Sequence, residues 1–220
     1  MRVFIIMYNR LTWPLAMCEY LSDTGCEVVL VDNASTYPPL LEWYKNCPYK
    51  LIRMDKNWGH QVVWKSGLIN DYDDEFYCVT DHDLDLSNIP VDYINVLHKG
   101  LEAFPDVVKS GFSLEINDLP SNKFTKEVVN WENKFWQSSQ KGIYLHSNID
   151  TTFALYDKKR DFGPLPPEGN RFYWAARSAR PYTAKHLPWY ITKENMNEEE
   201  QFYQDNTHTY WSQKLKESWM

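Results

Sequence analysis

Four short apolar runs alternate with helical patterns over the first 105 residues of this 220-residue chain. The second run is continuous Val and Leu after its first residue, as in a strand that is buried on both faces. A strand-helix alternation of this kind predicts a mostly parallel, Rossmann-like α/β sheet with helices on both faces. The runs occupy residues 3–7, 27–31, 50–54 and 76–80, and the helical patterns occupy 13–22, 38–44, 60–70 and 90–103.

The pattern becomes less regular after Pro105. The second half predicts a strand over 107–116, a helix over 126–137, a strand over 152–156, a loop over 160–170 and a helical tail over 197–217. No internal repeat, low-complexity tract or clear linker separates the halves. We therefore expect a single domain over residues 1–220, with one half at 1–105 and the other at 106–220.

Charge and hydropathy exclude several classes of protein. With 23 Lys and Arg against 30 Asp and Glu, the formal net charge is −7, which argues against a nucleic-acid partner. No apolar run approaches the ~20 residues of a membrane-spanning helix, and the opening run is too short for a signal peptide. The four cysteines form no C-x-x-C pair, so we expect reduced thiols and a cytoplasmic location.

Polar residues follow each of the four early runs, at the point where each predicted strand ends. The carboxyl ends of parallel strands meet at one edge of the sheet, and ligands of open α/β sheets bind at that edge. The sequence therefore predicts one site there. Its four groups are Tyr8-Asn9-Arg10, Asp32-Asn33-Ala34-Ser35, Asp55 to Asn57 with Gly59, and Asp81-His82-Asp83.

Two common phosphate-binding motifs are missing from these strand ends. No G-x-G-x-x-G follows the first run, which argues against a dinucleotide-binding fold. The segment from Gly59 to Lys65 and Ser66 has P-loop spacing, but Trp64 stands where a second glycine is needed. A bulky residue at that position keeps the backbone away from a phosphate.

The Asp81-His82-Asp83 motif carries the most specific chemistry. Two carboxylates two residues apart can share a divalent cation, which in turn bridges the oxygens of a nucleotide diphosphate. The same pattern also occurs as a simple acidic turn. Phosphatases of the haloacid dehalogenase kind use Asp-x-Asp too, but at the end of the first strand. A sugar nucleotidyltransferase would need a glycine-rich loop there, and a non-catalytic sugar- or nucleotide-binding module remains a further alternative.

The order of these motifs resembles that of GT-A fold glycosyltransferases, family 2 in particular. The likeness covers about the first 105 residues, from Tyr8-Asn9 to Asp81-His82-Asp83. Segments 111–114, 149–156 and 186–190 are similar to a narrower bacterial and viral branch. Within that branch, the chain resembles the amino-terminal transferase domain of a large algal-virus protein glycosylation enzyme. The resemblance implies an inverting hexosyltransferase that uses Mn²⁺ or Mg²⁺. It would transfer a sugar from a nucleotide diphosphate, UDP being favoured, to a hydroxyl of a glycan or glycoprotein in the cytoplasm, the host's if the chain is viral.

The resemblance also implies a nucleotide pocket in the 1–105 half, with the acceptor bound by the 106–220 half. Asp32 would accept hydrogen bonds from the base or the ribose. The pocket would be completed by Tyr8, Asn9, Arg10, Asn57 and Gly59.

A metal site follows from the same resemblance. Asp81 would face the ribose or the cation, and Asp83 would bind the cation directly. Many such enzymes complete the site with a late histidine. His186 is the first choice, with His208 and His146 as alternatives.

An inverting transferase also needs a carboxylate that takes the proton of the acceptor hydroxyl. Asp150 is the first candidate for this base, and Asp118 and Glu115 follow. The family's late Glu-Asp pair has no obvious counterpart after residue 156, so a retaining mechanism stays open. We also expect Trp189 and Tyr190 to line an acceptor cleft.

Overall fold

The first strand, β1 (Arg2–Met7), shows how the sheet divides the hydrophobic core. In the computed structural model, which describes residues 1–219, Val3 and Ile5 pack into one buried cluster. Phe4 and Ile6 pack into a second cluster on the opposite face. Because successive side chains of a strand point to opposite faces, an all-apolar strand requires cover on both sides of the sheet.

Ten strands form the central sheet. They are β1, β2 (Glu27–Asp32), β3 (Lys50–Arg53), β4 (Phe76–Asp81), β5 (Leu84–Asp85), β6 (Lys109–Leu114), β7 (Gln140–Lys141), β8 (Tyr144–Asn148), β9 (Ala154–Asp157) and β10 (Trp174–His186). The spatial order is β3-β2-β1-β4-β9-β6-β10-β8-β7, with β5 paired to β10.

The sheet has a parallel part and a mixed part. Strands β3, β2, β1 and β4 all run parallel. Strand β9 lies antiparallel between β4 and β6, whereas β6 and β10 run parallel to each other. The predicted α/β class, with a Rossmann-like sheet between two layers, is confirmed.

Seven α-helices accompany the sheet within the described residues. They are α1 (Thr12–Asp23), α2 (Pro38–Tyr44), α3 (Val62–Lys65), α4 (Tyr93–Ala103), α5 (Lys123–Trp136), α6 (Glu198–Asp205) and α7 (Tyr210–Glu217). Side-chain caps define the late helices: Asn122 and Thr125 form a capping box on α5, and the Asn197 side chain accepts from the Glu200 amide at the start of α6. Single turns of 3₁₀ helix occur at Leu68–Asp71, Arg171–Tyr173 and Leu187–Tyr190.

Several segments differ from the sequence prediction. The expected helix at 60–70 is only α3 and a 3₁₀ turn, because Gly67 between them has a left-handed φ of 78°. The helical tail is interrupted between α6 and α7, where Thr209 caps a new helix. Strands β8 and β10 were not predicted. The inner part of β10 carries Arg177, which is buried in an ion pair with Glu132 of α5.

All four cysteines are free, as predicted. None of the helices within residues 1–219 is both long enough and apolar enough to cross a bilayer.

Candidate active site

The polar strand ends meet at one edge of the sheet, as their positions in the sequence predict. Asn9, after β1, has a left-handed φ of 50° and is fully buried. Its Oδ1 accepts from the amides of Thr36 (2.7 Å) and Tyr37 (3.0 Å), and its own amide donates to the Ser35 hydroxyl. Asparagine tolerates this conformation better than most residues. Asn9 therefore fixes the conformation of the loop after β2 through buried hydrogen bonds, and it exposes no side-chain atom to a nucleotide.

Asp32, at the end of β2, is fully buried and has both carboxylate oxygens occupied. It accepts from the Tyr44 hydroxyl at 3.0 Å and from Arg53 Nε at 3.0 Å, and more weakly from the Ser35 amide. Burial, with the charge of Asp32 as a second cause, raises the pKa of Tyr44. The Arg53 side chain is about half exposed, so it is the part of this group that a ligand can reach.

Sequence reasoning missed Tyr44 and Arg53. A signal for Arg53 was present, because it lies near the carboxyl end of the strand predicted over 50–54, and in the parallel register it is the partner of Asp32. Side-chain hydrogen bonds hold the loop at Asn57 and Gly59. Asn33 accepts from the Trp58 amide at 2.8 Å and donates to the Gly59 carbonyl, while Asn57 accepts from the Gly59 amide.

Asp81, at the end of β4, is held by a turn from the second half of the chain. Both of its carboxylate oxygens lie 2.9 Å from the Thr151 hydroxyl, and its amide donates to the Thr151 carbonyl. Burial raises the pKa of Asp81 well above its usual value, and the neighbouring carboxylates of Asp83 and Asp150 raise it further. Thr151 and Lys109 oppose this shift only in part.

Asp83 is also buried, but its two oxygens have different surroundings. Oδ2 accepts from Arg10 Nη1 at 3.0 Å, whereas Oδ1 has no hydrogen-bond partner among the described residues. His186 Nε2 lies 3.6 Å from that free Oδ1. Burial acts to raise the pKa of Asp83, but His186, His82 and Arg10 outweigh it and hold that pKa below its usual value.

Strand pairing brings His186 close to Asp83. Lys185 and His186 end β10 opposite Asp85 and Leu84 of β5, and the Leu187 amide donates to the Asp83 carbonyl at 2.9 Å. Burial lowers the pKa of His186 despite the facing carboxylate. The structure does not bring the two alternative histidines to this place. His146 bonds Asp106 near the amino-terminal end of β6, and His208 is exposed between α6 and α7.

The pair of Asp83 and His186 fits a hard divalent cation only in part. A buried carboxylate oxygen without a partner and an imidazole nitrogen are both ligands of Mn²⁺. Within residues 1–219, however, no group of three or more His, Cys, Asp or Glu side chains has the arrangement of a complete metal site. The chain thus offers two facing ligand atoms, and phosphate oxygens and water would supply the others, as in many nucleotide sites.

The two predicted bases have contrasting environments. Asp150 is adjacent to Thr151, and its carboxylate is 60% exposed, with His60 Nε2 at 3.5 Å. Asp118 lies beyond the end of β6 in a cavity of about 410 Å³. It is paired with Lys185 and accepts from the Tyr190 hydroxyl at 2.5 Å.

Burial acts to raise the pKa of Asp118, but the bonds from Lys185 and Tyr190 hold it below its usual value. Glu115, the third candidate, is paired with Arg180. A carboxylate that is already neutralised in this way is a weak proton acceptor.

The expected acceptor cleft at Trp189 and Tyr190 is not formed as predicted. Trp189 is 3% exposed and belongs to the hydrophobic core, where its ring packs on His186 and Trp211. The prediction for Trp189 was wrong, because its apolar surface is used to anchor the end of β10. Tyr190 contacts Asp118 instead of forming an open aromatic platform.

Arg10 lies beneath the site rather than at its surface. Its side chain is fully buried and makes a bidentate ion pair with Glu200 of α6, at 2.9 and 2.8 Å, besides its bond to Asp83. Its guanidinium carbon is 3.4 Å from the ring centre of Tyr203. Sequence reasoning missed Glu200 and Tyr203, because nothing in the local pattern of the tail relates it to β1. Tyr8 also contacts the tail, through its hydroxyl and the Asn206 carbonyl.

The chain matches no protein-family model and no curated protein sequence. Its fold is similar to solved structures of TarS from S. aureus. A crystal structure of TarS is 13% identical with a TM-score of 0.52, over 97% of this chain and 41% of that one. TarS 1–349 is 12% identical with a TM-score of 0.49, over 85% and 60% of the two chains. TarS 1–349 in complex with UDP is 14% identical with a TM-score of 0.48, over 84% and 59%.

The chain thus spans between 41% and 60% of the length of the TarS structures that it matches. At such low identity the likeness concerns the fold alone. TarS has a glycosyltransferase fold of the GT-A type, and the overlap with the longer TarS structure covers nearly all of this chain. This chain therefore shares the architecture of TarS: an α/β domain with a large central sheet and helices on both faces.

Proposed function

We propose that this chain is a metal-dependent glycosyltransferase that moves a sugar from a nucleotide diphosphate to a hydroxyl group. The observation that carries the proposal is the free Oδ1 of Asp83, which is buried at the carboxyl edge of the sheet and faces His186 Nε2. A buried carboxylate oxygen without a partner is costly unless a ligand satisfies it. A divalent cation bound there supplies positive charge for the departing diphosphate.

The chain's own residues divide the remaining tasks. Asp32 accepts a hydrogen bond from Arg53 and holds it in place beside the loop that contains Asn57 and Gly59. This loop forms the part of the site that would bind the nucleoside. The exposed Asp150 is available to take the proton of an acceptor hydroxyl as that oxygen attacks the sugar. Thr151, on the same turn, bonds Asp81 and so keeps the base at a constant position relative to the metal side.

Finer features of the proposal come from the sequence resemblance. They are a family 2 type of enzyme, a relation to the algal-virus glycosylation enzyme, and an inverting transfer of a hexose. A UDP-sugar would bind the 1–105 half, and a glycan or glycoprotein would bind the 106–220 half. Mn²⁺ or Mg²⁺ would serve as the cation, and the cytoplasm would be the location.

The geometry disfavours the phosphatase alternative. In that class Asp-x-Asp follows the first strand, whereas β1 of this chain is followed by Tyr8 and Asn9, and the two aspartates follow β4. A non-catalytic nucleotide-binding module would keep the same contacts. Release of free nucleotide diphosphate from a nucleotide sugar distinguishes the enzyme from such a module.

Calorimetric titration with UDP, GDP, dTDP and CDP, each with and without Mn²⁺, tests the proposal directly. We expect one of them, UDP first, to bind only when Mn²⁺ is present. Asp106→Asn is a control variant that should bind nucleotide as the wild-type protein does. Asp106 is hydrogen-bonded to His146 before the start of β6, far along that strand from the site. If no nucleotide binds with either metal condition, the proposed function is wrong.

A further inference from the structure

Helix α6, the last but one helix of the described residues, is hydrogen-bonded to alternate residues of the segment that follows β1. The Tyr8 hydroxyl donates to the Asn206 carbonyl just after α6, at 3.0 Å. The amide and hydroxyl of Thr12 donate to Glu199, and Arg10 between them is paired with Glu200. These contacts join parts of the chain that are about 190 residues apart.

Arg10 is shared between two carboxylates at the centre of this contact. Nε and Nη2 donate to the two oxygens of Glu200, and Nη1 donates to Asp83 Oδ2. The guanidinium carbon lies 4.5 Å from the ring centre of Trp13 and 3.4 Å from that of Tyr203. A fully buried guanidinium that is packed against two aromatic rings has little freedom to change its hydrogen bonds.

This sharing determines which oxygen of Asp83 remains free. The bidentate edge of a guanidinium prefers to bind both oxygens of one carboxylate. Glu200 occupies that edge, so Asp83 receives a single bond, on Oδ2, and Oδ1 is left facing His186 Nε2. Without the charge of Glu200, the buried Arg10 would have Asp83 as its only carboxylate, and a two-point pairing would cover Oδ1.

We propose that Glu200 is a positioning residue that acts through Arg10 to keep Asp83 Oδ1 free for a divalent cation. The inference rests on the proposed function. It also assigns a role in the metal site to α6, whose other glutamates have different surroundings. Glu199 bonds Thr12 at the start of α1, and Glu198 is exposed.

The test compares Glu200→Gln with Glu199→Gln. Both residues are buried on the same turn of α6, but only Glu200 contacts Arg10. Mn²⁺ is titrated calorimetrically against each variant in the presence of saturating UDP, and thermal unfolding without metal is measured in parallel. We expect Glu200→Gln to raise the apparent Mn²⁺ dissociation constant about tenfold or more, the usual effect of losing a residue that supports a metal ligand. Glu199→Gln should leave that constant near the wild-type value.

The other outcomes overturn either this inference or the proposed function. An unchanged Mn²⁺ constant in a folded Glu200→Gln variant overturns the inference, and so does an equal loss in both variants, which would show a general effect of docking α6. If Glu200→Gln does not fold, Arg10→Lys replaces it, since a single ammonium group cannot bridge Glu200 and Asp83, and a wild-type constant there also overturns the inference. Absence of Mn²⁺-dependent binding in the wild-type protein, by contrast, overturns the proposed function itself.

Discussion

Asp32 and Asp83 are two buried carboxylates at the same edge of the sheet, and each is bonded to an arginine. They differ in what the rest of the chain leaves free. Arg53 and Tyr44 occupy one oxygen each of Asp32. Arg10 occupies only one oxygen of Asp83, and the other has no partner among the described residues. An oxygen already saturated by chain donors supports the fold, whereas an unsaturated one can bind a ligand.

The two candidate bases repeat this difference. Asp118 is saturated by Lys185 and the Tyr190 hydroxyl. Asp150 has its carboxylate largely in solvent, with only His60 at 3.5 Å. This difference supports the proposal that Asp83 and Asp150 carry the chemistry and that Asp32 and Asp118 support the structure.

The largest effect is expected for the base. Asp150→Asn should lower the rate of sugar transfer by about 10² to 10⁴, the usual contribution of a positioned general base. Mn²⁺-dependent UDP binding should persist, because the Asp83 carboxylate is untouched. Release of UDP from a panel of UDP-sugars, followed together with calorimetric binding, measures both quantities. Asp118→Asn is the rival variant, and loss of turnover in it but not in Asp150→Asn would reverse the assignment.

The metal ligand should give the next largest effect. Asp83→Asn removes the negative charge and replaces one oxygen by an amide nitrogen. We expect UDP binding in the presence of Mn²⁺ to weaken by at least about 100-fold, the upper end of what groups behind a metal ligand contribute. The same titration with Mn²⁺ omitted is the control. Equal affinity of wild type and variant with Mn²⁺ would remove Asp83 from the metal site.

Substitution of Asp32 should lower stability and leave the Mn²⁺ dependence of binding intact, in contrast to substitution of Asp83. Asp32→Asn replaces one accepting oxygen by an NH₂ group and removes the charge that pairs with Arg53, so we expect the free energy of unfolding to fall by about 1–3 kcal/mol. UDP binding should weaken while its dependence on Mn²⁺ persists. Urea denaturation measures the first quantity, and Tyr44→Phe, which removes one of the bonds to Asp32, should give a smaller loss. A variant as stable as wild type would contradict the structural role of Asp32.

The two buried cations, Arg10 and Lys109, also differ in how the rest of the chain pairs them. Arg10 is bonded to two carboxylates, whereas Lys109 donates to the Asp150 carbonyl and the Tyr156 hydroxyl and to no carboxylate among residues 1–219. Burial lowers the pKa of Lys109 to about 7, although Asp150 and Asp81 act to raise it. Between about pH 7 and the ordinary lysine pKa, the unfolded chain therefore binds more protons at this position than the folded chain.

Lys109 should consequently make stability rise with pH over that interval, by at most about 1.4 kcal/mol per pH unit. Urea denaturation at several pH values between 7 and 10 should show this rise in wild type relative to Lys109→Met, which cannot titrate. The difference between the two proteins isolates Lys109 from the other groups that titrate at alkaline pH. Parallel curves would mean that Lys109 is charged in the folded protein throughout.

Much of the parallel part of the fold could be predicted because its signals are local. A continuous apolar run such as residues 27–31 identifies a strand buried on both faces, and the polar residues that follow it identify the strand end. Strand β10 gave no such signal. It contains Arg177 and Ser178, which are buried only because Glu132 and the Gly111 carbonyl lie opposite them in the folded chain. The burial of polar residues in a strand can be explained only when their partners in the folded chain are known.

The features of the site also separate into those that local sequence predicts and those that depend on distant partners. The sequence by itself determined that Asp32 and the Asp81-His82-Asp83 motif lie at one edge of a parallel sheet, because strand period and strand direction follow from neighbouring residues. Only the tertiary structure decided which carboxylate oxygens stay free. That outcome depends on how a donor such as Arg10 is shared with Glu200, 190 residues further along the chain, and no local pattern records such a partner.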